Sequence, residues 1–273
     1  AGVVELEALS ARTALDVAPL ALLNCGNVLG SLFALSLTSV PLFGTLRSGV
    51  VLCVAVLDLC FWRRVYSPLV YAAVAITTAG CVAAGSFDET AHAREYAVVF
   101  VSDLITAGYL VYMRFVMSSL GVLSASMYNA LLCSPLLAAL ALWRGEHRAL
   151  LALARDAHAD RTFWLYFAVA ATLGAALQLS MYLCTRYTSP MTTSIAGQVK
   201  TVAQTLLGVF VINVGVVQHF NVDEVAGMCV TMFGSAFYAY AKRRDAAIAA
   251  VGTATVTVDA AAADDDDTNG GGG

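Results

Sequence analysis

A chain of 273 residues with a formal charge of −4, 59% hydrophobic and only 12% charged, lies far from the composition of soluble domains. Its mean hydropathy of +0.76 places it in a bilayer. A transmembrane β-barrel is excluded as well, because segments of about ten residues alternating in polarity do not occur.

The opening segment, residues 1–18, is weakly amphipathic, with Glu5, Glu7, Arg12 and Asp16 interrupting apolar positions. It has no basic start followed by a short apolar core, so it does not read as a signal peptide. From residue 19 onward, apolar runs close to the ~20 residues needed to cross the hydrocarbon core recur. Eight spans are expected, at Pro19 to Leu37, Leu42 to Trp62, Leu69 to Ser86, Tyr96 to Met117, Ala125 to Trp143, Phe163 to Leu183, Met191 to Val211, and Val225 to Ala241. Thr38 to Pro41 and Thr185 to Pro190 are too short to be anything but hairpin links. Gly, Ala, Ser and Thr are scattered through every span, which suits close helix packing in lipid. The fold class is therefore all-α, a polytopic membrane bundle occupying 19–244. The tail 245–273, with Asp264 to Asp267 and Gly270 to Gly273, is expected to be disordered on composition.

Charge sets the orientation. Arg12, Arg63, Arg64, Arg114, Arg186, Lys242, Arg243 and Arg244 fall on one side of the spans. Arg94, Arg144, Arg148, Arg155 and Arg161 fall on the other, among the acids Asp88, Glu89, Glu95, Glu146, Asp156, Asp160, Asp223 and Glu224. The positive-inside rule then puts both termini in the cytosol.

No catalytic constellation is visible. The seven cysteines lie within or at the edge of spans and never as Cys-x-x-Cys, so they read as packing residues rather than as a disulfide framework or zinc site. His92, His147, His158 and His219 lie in loops, with no His-Glu-x-x-His or Gly-x-Ser-x-Gly string. Neither a metal nor a cofactor is expected, and the chain does not read as an enzyme.

Lys200 is the most informative residue. It sits mid-way through an apolar span, where an ammonium costs roughly 2.5–3.5 kcal/mol on insertion scales. Thr193, Gly197, Lys200, Gln204 and Gly208 recur at helical spacing, so one small or polar stripe carries the charge and should line a cavity. Pairing of Lys200 with Asp58 or Asp103 is the competing reading. In the fifth span, Tyr128 and Asn129 stand together. An amide suits the edge of a nucleobase and a tyrosine can stack on it, or the two serve as an interfacial aromatic and an interhelical hydrogen bond.

A weak internal repeat is also present. Leu29-Gly30 leading to Ser39-Val40-Pro41 and then a span bearing Arg47 is echoed by Leu173-Gly174 leading to Ser189-Pro190 and a span bearing Lys200. Carriers built from two such halves bind substrate near the midplane and alternate access by rocking.

These strings resemble a known family. Tyr128-Asn129-Ala130, the run Leu183 to Lys200, Gly227 to Tyr240, and upstream Pro41 to Arg47, Gly80 to Asp88 and Ser102 to Ala107 are similar, in order, to the nucleotide-sugar transporters of solute carrier family 35. The resemblance covers roughly Gly26 to Arg244 and is nearest to UDP-sugar carriers. It implies a ten-helix inverted-repeat antiporter of the Golgi or endoplasmic reticulum, in which the eight spans match the third to tenth helices. By this resemblance Tyr128 and Asn129 hold the base, while Thr192, Ala196, Gly197 and Lys200 lie beside the diphosphate and sugar. Ala130, where GDP-sugar members carry a second Asn, and Gly197-Gln-Val-Lys200, where they carry Gly-Ala-Leu-Asn-Lys, favour UDP.

Arg47 either adds a second positive charge near the phosphates or anchors at the lumenal interface. Asp103 is expected to pack or gate, since a carboxylate repels a diphosphate. The implied partners are a nucleotide sugar, a nucleoside monophosphate, the lipid bilayer and a second copy forming a homodimer, with no nucleic acid. Competing readings are a GDP-sugar or sugar-phosphate exchanger of the same superfamily, and a non-transporting membrane scaffold.

Overall fold

A computed structural model describes residues 11–38, 43–44, 46–63, 66–86, 93–148, 152, 161–210, 226–227, 229–245 and 247–248. Among the described residues every regular element is helical. In chain order these are α1 (Ala11–Leu37), a 3-10 turn (Arg47–Gly49) running directly into α2 (Val50–Trp62), α3 (Pro68–Ser86), α4 (Ala93–Ser119), α5 (Val122–Trp143), α6 (Arg161–Tyr187), α7 (Pro190–Phe210) and α8 (residues 229–245).

Each of these helices overlaps one expected span, and α1 reaches back to Ala11, enclosing Pro19. Four helices, α1, α4, α5 and α6, are by length and composition able to cross a membrane unaided, and the chain is a multi-pass membrane helical bundle. A fifth apolar stretch, Pro68–Ala83 in α3, is shorter. Helix α7 falls outside that set because Thr192, Thr193, Ser194, Gln198, Lys200 and Thr201 make one of its faces polar. The link Ser39 to Leu42, the acids Asp88, Glu89, Asp156, Asp160, Asp223 and Glu224, the basic residues Arg64 and Arg155, and the tail beyond 248 lie outside the described residues.

Local chemistry explains where the helices begin and end. Pro68 and Pro190 stand at first helical positions, where the missing N–H costs nothing. Ser189 caps α7, its Oγ accepting the Thr192 N–H at 3.2 Å. Helix α2 stops at Arg63, which adopts a left-handed conformation with φ 47°. Pro19 and Pro135 sit inside α1 and α5, which membrane helices tolerate when neighbours re-satisfy the freed carbonyls.

Helix α4 forms the centre and packs against α1, α2, α5, α6 and α7. Its Ala107, Leu110, Met113 and Met117 meet Val17 and Leu20 of α1, Val51 and Val54 of α2, and Tyr182 of α6 in one buried cluster. Close backbone approach is most evident between α3 and α8. A Cβ added at Gly234 would lie 2.8 Å from the Thr77 nitrogen, and one at Gly80 would lie 2.9 Å from the Thr231 nitrogen. Without a hydrophobic drive between helices in lipid, such contacts supply the association energy through van der Waals packing.

Helix α6 is placed differently. Leu165, Tyr166, Phe167 and Leu173 are exposed, while its C-terminal half turns inward at Tyr182, which is fully buried. In a bilayer, exposed apolar surface is the ordinary outer face, and the edge-on contacts among Phe163, Trp164 and Phe167, at 5.5 and 6.1 Å, form an aromatic cluster at one end of the span.

Candidate functional site

Helices α6 and α7 form a tight hairpin whose register is fixed by the Thr185 and Thr193 hydroxyls, 2.9 Å apart. Gln178 lies seven residues before Thr185 and Lys200 seven after Thr193. At a rise of 1.5 Å per residue the two side chains leave the hairpin at the same depth, ~10 Å from that hydroxyl contact. They open onto a cavity of about 430 Å³ enclosed by α1, the turn before α2, α4, α6 and α7. That volume falls within the usual size of small-molecule sites.

Among the described residues the cavity wall carries two cations, Arg47 and Lys200, and no carboxylate. Lys200 is partly buried, and among the described residues its amine has neither an ion-pair partner nor a hydrogen bond. Its charge acts on that of Arg47. Neither candidate counter-ion pairs with Lys200 among the described residues. Asp58 is fully buried and accepts the Tyr66 hydroxyl, and Asp103, also buried, sits against Gly49 with its Oδ2 3.0 Å from where a Cβ would stand. Neither lines the cavity.

Arg47 is built into the wall rather than left at an interface. Its Nη1 donates to Ser31 Oγ at 2.6 Å and its Nη2 to Asn27 Oδ1 at 3.2 Å, both on α1. Its guanidinium also lies over the Phe43 ring, 5.4 Å from the centroid. The backbone beneath it is tied to α7, since Gln198 Nε2 donates to the Arg47 carbonyl at 3.0 Å and the Ser48 hydroxyl donates to Gln198 Oε1 at 3.0 Å. Asn27 Oδ1 further accepts the Thr106 hydroxyl at 2.6 Å, binding α4 into the same network. A cation held by four elements is preorganised for an anion, because the entropy of positioning it is spent in folding.

The residues singled out in the sequence divide into two groups. Arg47, Ala196, Gly197 and Lys200 line the cavity together, as does Thr193 of the polar stripe. Only the helix path is described at Gln204 and Gly208. Thr192 points elsewhere. Its hydroxyl meets Ser189 at 2.9 Å, Tyr238 at 3.4 Å and the Lys242 amine, in a polar cluster at the start of α7. Tyr128 and Asn129 are buried on α5 and are not among the lining residues, and the Asn129 carbonyl oxygen has no hydrogen-bond partner. Asp103 stands behind the wall, close enough to act on the charge of Arg47.

Several lining residues escaped the sequence reading. Asn27, Thr106, Tyr109 and Gln178 all face the cavity. The signal was present, since Asn27 and Gln178 are amides at membrane depth, but an isolated amide there reads equally well as an interhelical hydrogen bond. At the C-terminal end of α6, Arg186 donates to the Met117 and Leu120 carbonyls and so closes the last turn of α4 against α6.

No protein-family model matches the chain. Individual proteins do. It is 28% identical over 245 residues to the UDP-galactose/UDP-glucose transporter 7 of Arabidopsis thaliana, an alignment covering 89% of this chain and 75% of that protein. It is 26% identical to the UDP-sugar transporter sqv-7 of Caenorhabditis elegans, over 87% of this chain and 72% of the relative. It is 28% identical to the human nucleotide sugar transporter SLC35D2, over 81% of this chain and 65% of the relative. Against a Dictyostelium discoideum relative at 28% identity the chain spans little more than half of that protein, 57%. Over four-fifths or more of its length, then, this chain is similar to proteins named as transporters of UDP-sugars and nucleotide sugars.

Proposed function

We propose that the protein carries a nucleotide sugar, a UDP-sugar, across a Golgi or endoplasmic-reticulum membrane in exchange for lumenal UMP. The observation that carries this reading is the convergence of Arg47 and Lys200 on one cavity whose described lining contains no carboxylate. Two cations of like charge in one site of reduced dielectric repel each other, and a diphosphate relieves that cost by bridging them. Ala196 and Gly197, one turn before Lys200, leave the helix surface low enough for the phosphates and sugar to approach.

Exchange follows from the same charge. A cavity that must close around the unpaired Lys200 charge beside Arg47 does so at a cost, so the carrier returns faster with a nucleoside monophosphate than empty. Both termini are assigned to the cytosol, and the helices to a ten-helix inverted repeat that rocks one half against the other. The homodimer belongs to the same proposal. Tyr128 and Asn129 keep their assignment to the base only if α5 turns toward the cavity during the cycle.

A GDP-sugar reading has one observation in its favour, a stretch of 84 residues 34% identical to a GDP-fucose transporter of Dictyostelium discoideum, but it covers 31% of this chain. The test is uptake of radiolabelled UDP-sugar and GDP-sugar by full-length protein in proteoliposomes preloaded with UMP or GMP. UDP-sugar uptake that depends on internal UMP and is lost in Lys200→Ala supports the proposal. Near-normal exchange by that variant overturns the assigned charge, and GMP-only exchange overturns the uridine assignment.

A further inference from the structure

Charge neutralisation by Arg47 and Lys200 accounts for a phosphate but not for a base. A bare pyrophosphate would satisfy both cations, so something else in the cavity has to distinguish a nucleotide from its phosphates. Of the amide side chains that line the cavity, one has no part in the cationic network, and that is Gln178 on α6.

Its orientation is fixed by a relay. Gln178 Nε2 donates to the Tyr109 hydroxyl at 2.8 Å, and that hydroxyl donates to the Tyr182 hydroxyl at 3.4 Å. Tyr109 is 2% exposed and Tyr182 0%, so the anchor is part of the rigid core between α4 and α6. Tyr109 takes one amide N–H. The second N–H and Oε1 have no partner among the described residues, and they belong to a side chain that lines the cavity. Gln178 is partly buried, so these groups are open to a ligand that enters the cavity.

The other two amides in the lining, Asn27 and Gln198, are committed, Gln198 to Arg47 and Ser48. Asn27 Oδ1 accepts from both Arg47 and Thr106, so Asn27 supports the guanidinium on the α1 side. Gln178 stands on the α6 side, level with Lys200 through the hairpin register. Leu110, beside Tyr109, and Met181, one turn from Gln178, supply apolar surface to the same cavity, where the face of a planar ring can rest. A free N–H next to a free C=O is complementary to the adjoining C=O and N–H of a pyrimidine imide such as the uracil edge.

We propose that Gln178, clamped by Tyr109 and Tyr182, reads the hydrogen-bonding edge of the nucleobase, and that this contact lets the cavity prefer a nucleotide over a phosphate ester lacking a base. The inference rests on the carrier reading above and adds to it the residue that selects the base. It also moves that task from α5 to α6.

The test compares UMP with ribose 5-phosphate, which keeps the sugar and phosphate and lacks the base, by ligand-induced thermal stabilisation of the full-length protein. Wild-type protein is expected to bind UMP more tightly than ribose 5-phosphate, by on the order of tenfold, the worth of one amide pairing. Gln178→Met, close in shape, should remove that preference while leaving ribose 5-phosphate affinity unchanged. Tyr109→Phe, which frees the amide to rotate, should narrow the preference in the same direction and decides the matter if Gln178→Met does not fold.

A Gln178→Met protein that still prefers UMP, or that loses both ligands equally, overturns the inference. So does Asn129→Ala if it erases the preference while Gln178→Met keeps it, because the base is then held by α5. Wild-type protein stabilised equally by both ligands removes the base contact and leaves the anion site standing. Stabilisation by neither removes the carrier reading and this inference with it.

Discussion

Replacing Lys200 by methionine should make the empty protein more stable and the liganded protein less so. The side chain keeps its length and apolar stem and loses only the ammonium. On insertion scales a lysine at mid-helix costs roughly 2.5–3.5 kcal/mol, which is an upper bound here because Lys200 is partly exposed to a cavity wide enough for water. Discounting for that hydration, and adding the relief of repulsion from Arg47, a gain of about 1 kcal/mol is expected, or ~2–4 °C in midpoint for a domain of this size. Loss of one charge-assisted contact works against the ligand by about 1.5–3 kcal/mol, roughly a ten- to a hundred-and-fifty-fold rise in Kd. The assay is thermal unfolding in detergent with and without pyrophosphate, measured on wild type and variant side by side. A lowered midpoint in the empty protein, or an undiminished pyrophosphate shift, would refute the argument that Lys200 is an uncompensated cation awaiting an anion.

Two further outcomes test the packing around the site. Gly234→Leu forces atoms into the Thr77 backbone and should lower stability by about 1–3 kcal/mol, whereas Gly174→Ala, with nothing within 4 Å of its Cβ, should change it by less than about 0.5 kcal/mol in the same thermal scan. Arg186→Ala uncovers the Met117 and Leu120 carbonyls and should cost about 1–3 kcal/mol, with faster hydrogen exchange concentrated at the α4 C-terminus; uniform protection there would mean the cap contributes nothing.

What could be read from the sequence depends on how much each feature relies on rotation about a helix axis. Spans declare themselves through length and apolarity, and Lys200 through its cost, so neither needs a partner to be recognised. The stripe through Thr193, Gly197 and Lys200 follows from periodicity alone, and all three line the cavity. Thr192 shows the limit. One residue along a helix turns the side chain by 100°, which carries Thr192 away from the cavity lined by Thr193 and toward Tyr238 and Lys242. Tyr128 and Asn129 were singled out as a string, but the face that α5 offers is set by its packing on α1, where the Cys133 and Cys25 sulfurs lie 3.0 Å apart. Gln178 was illegible for a different reason. Its meaning depends on the Tyr109 hydroxyl, which is distant in sequence and meets it only once α4 and α6 are packed.

The hairpin link between α6 and α7 also constrains how any transport cycle works. Only Thr188 and Ser189 separate the two helices, and hydroxyl contacts stitch them just beyond the bend, so they behave as a single two-pronged arm. Gln178 on one prong and Lys200 on the other keep a constant spacing whichever way that arm tilts. On the proposed rocking cycle the contacts strained at each stroke are those across the gap, the Gln198 bonds to Arg47 and Ser48 together with any anion that bridges Arg47 and Lys200.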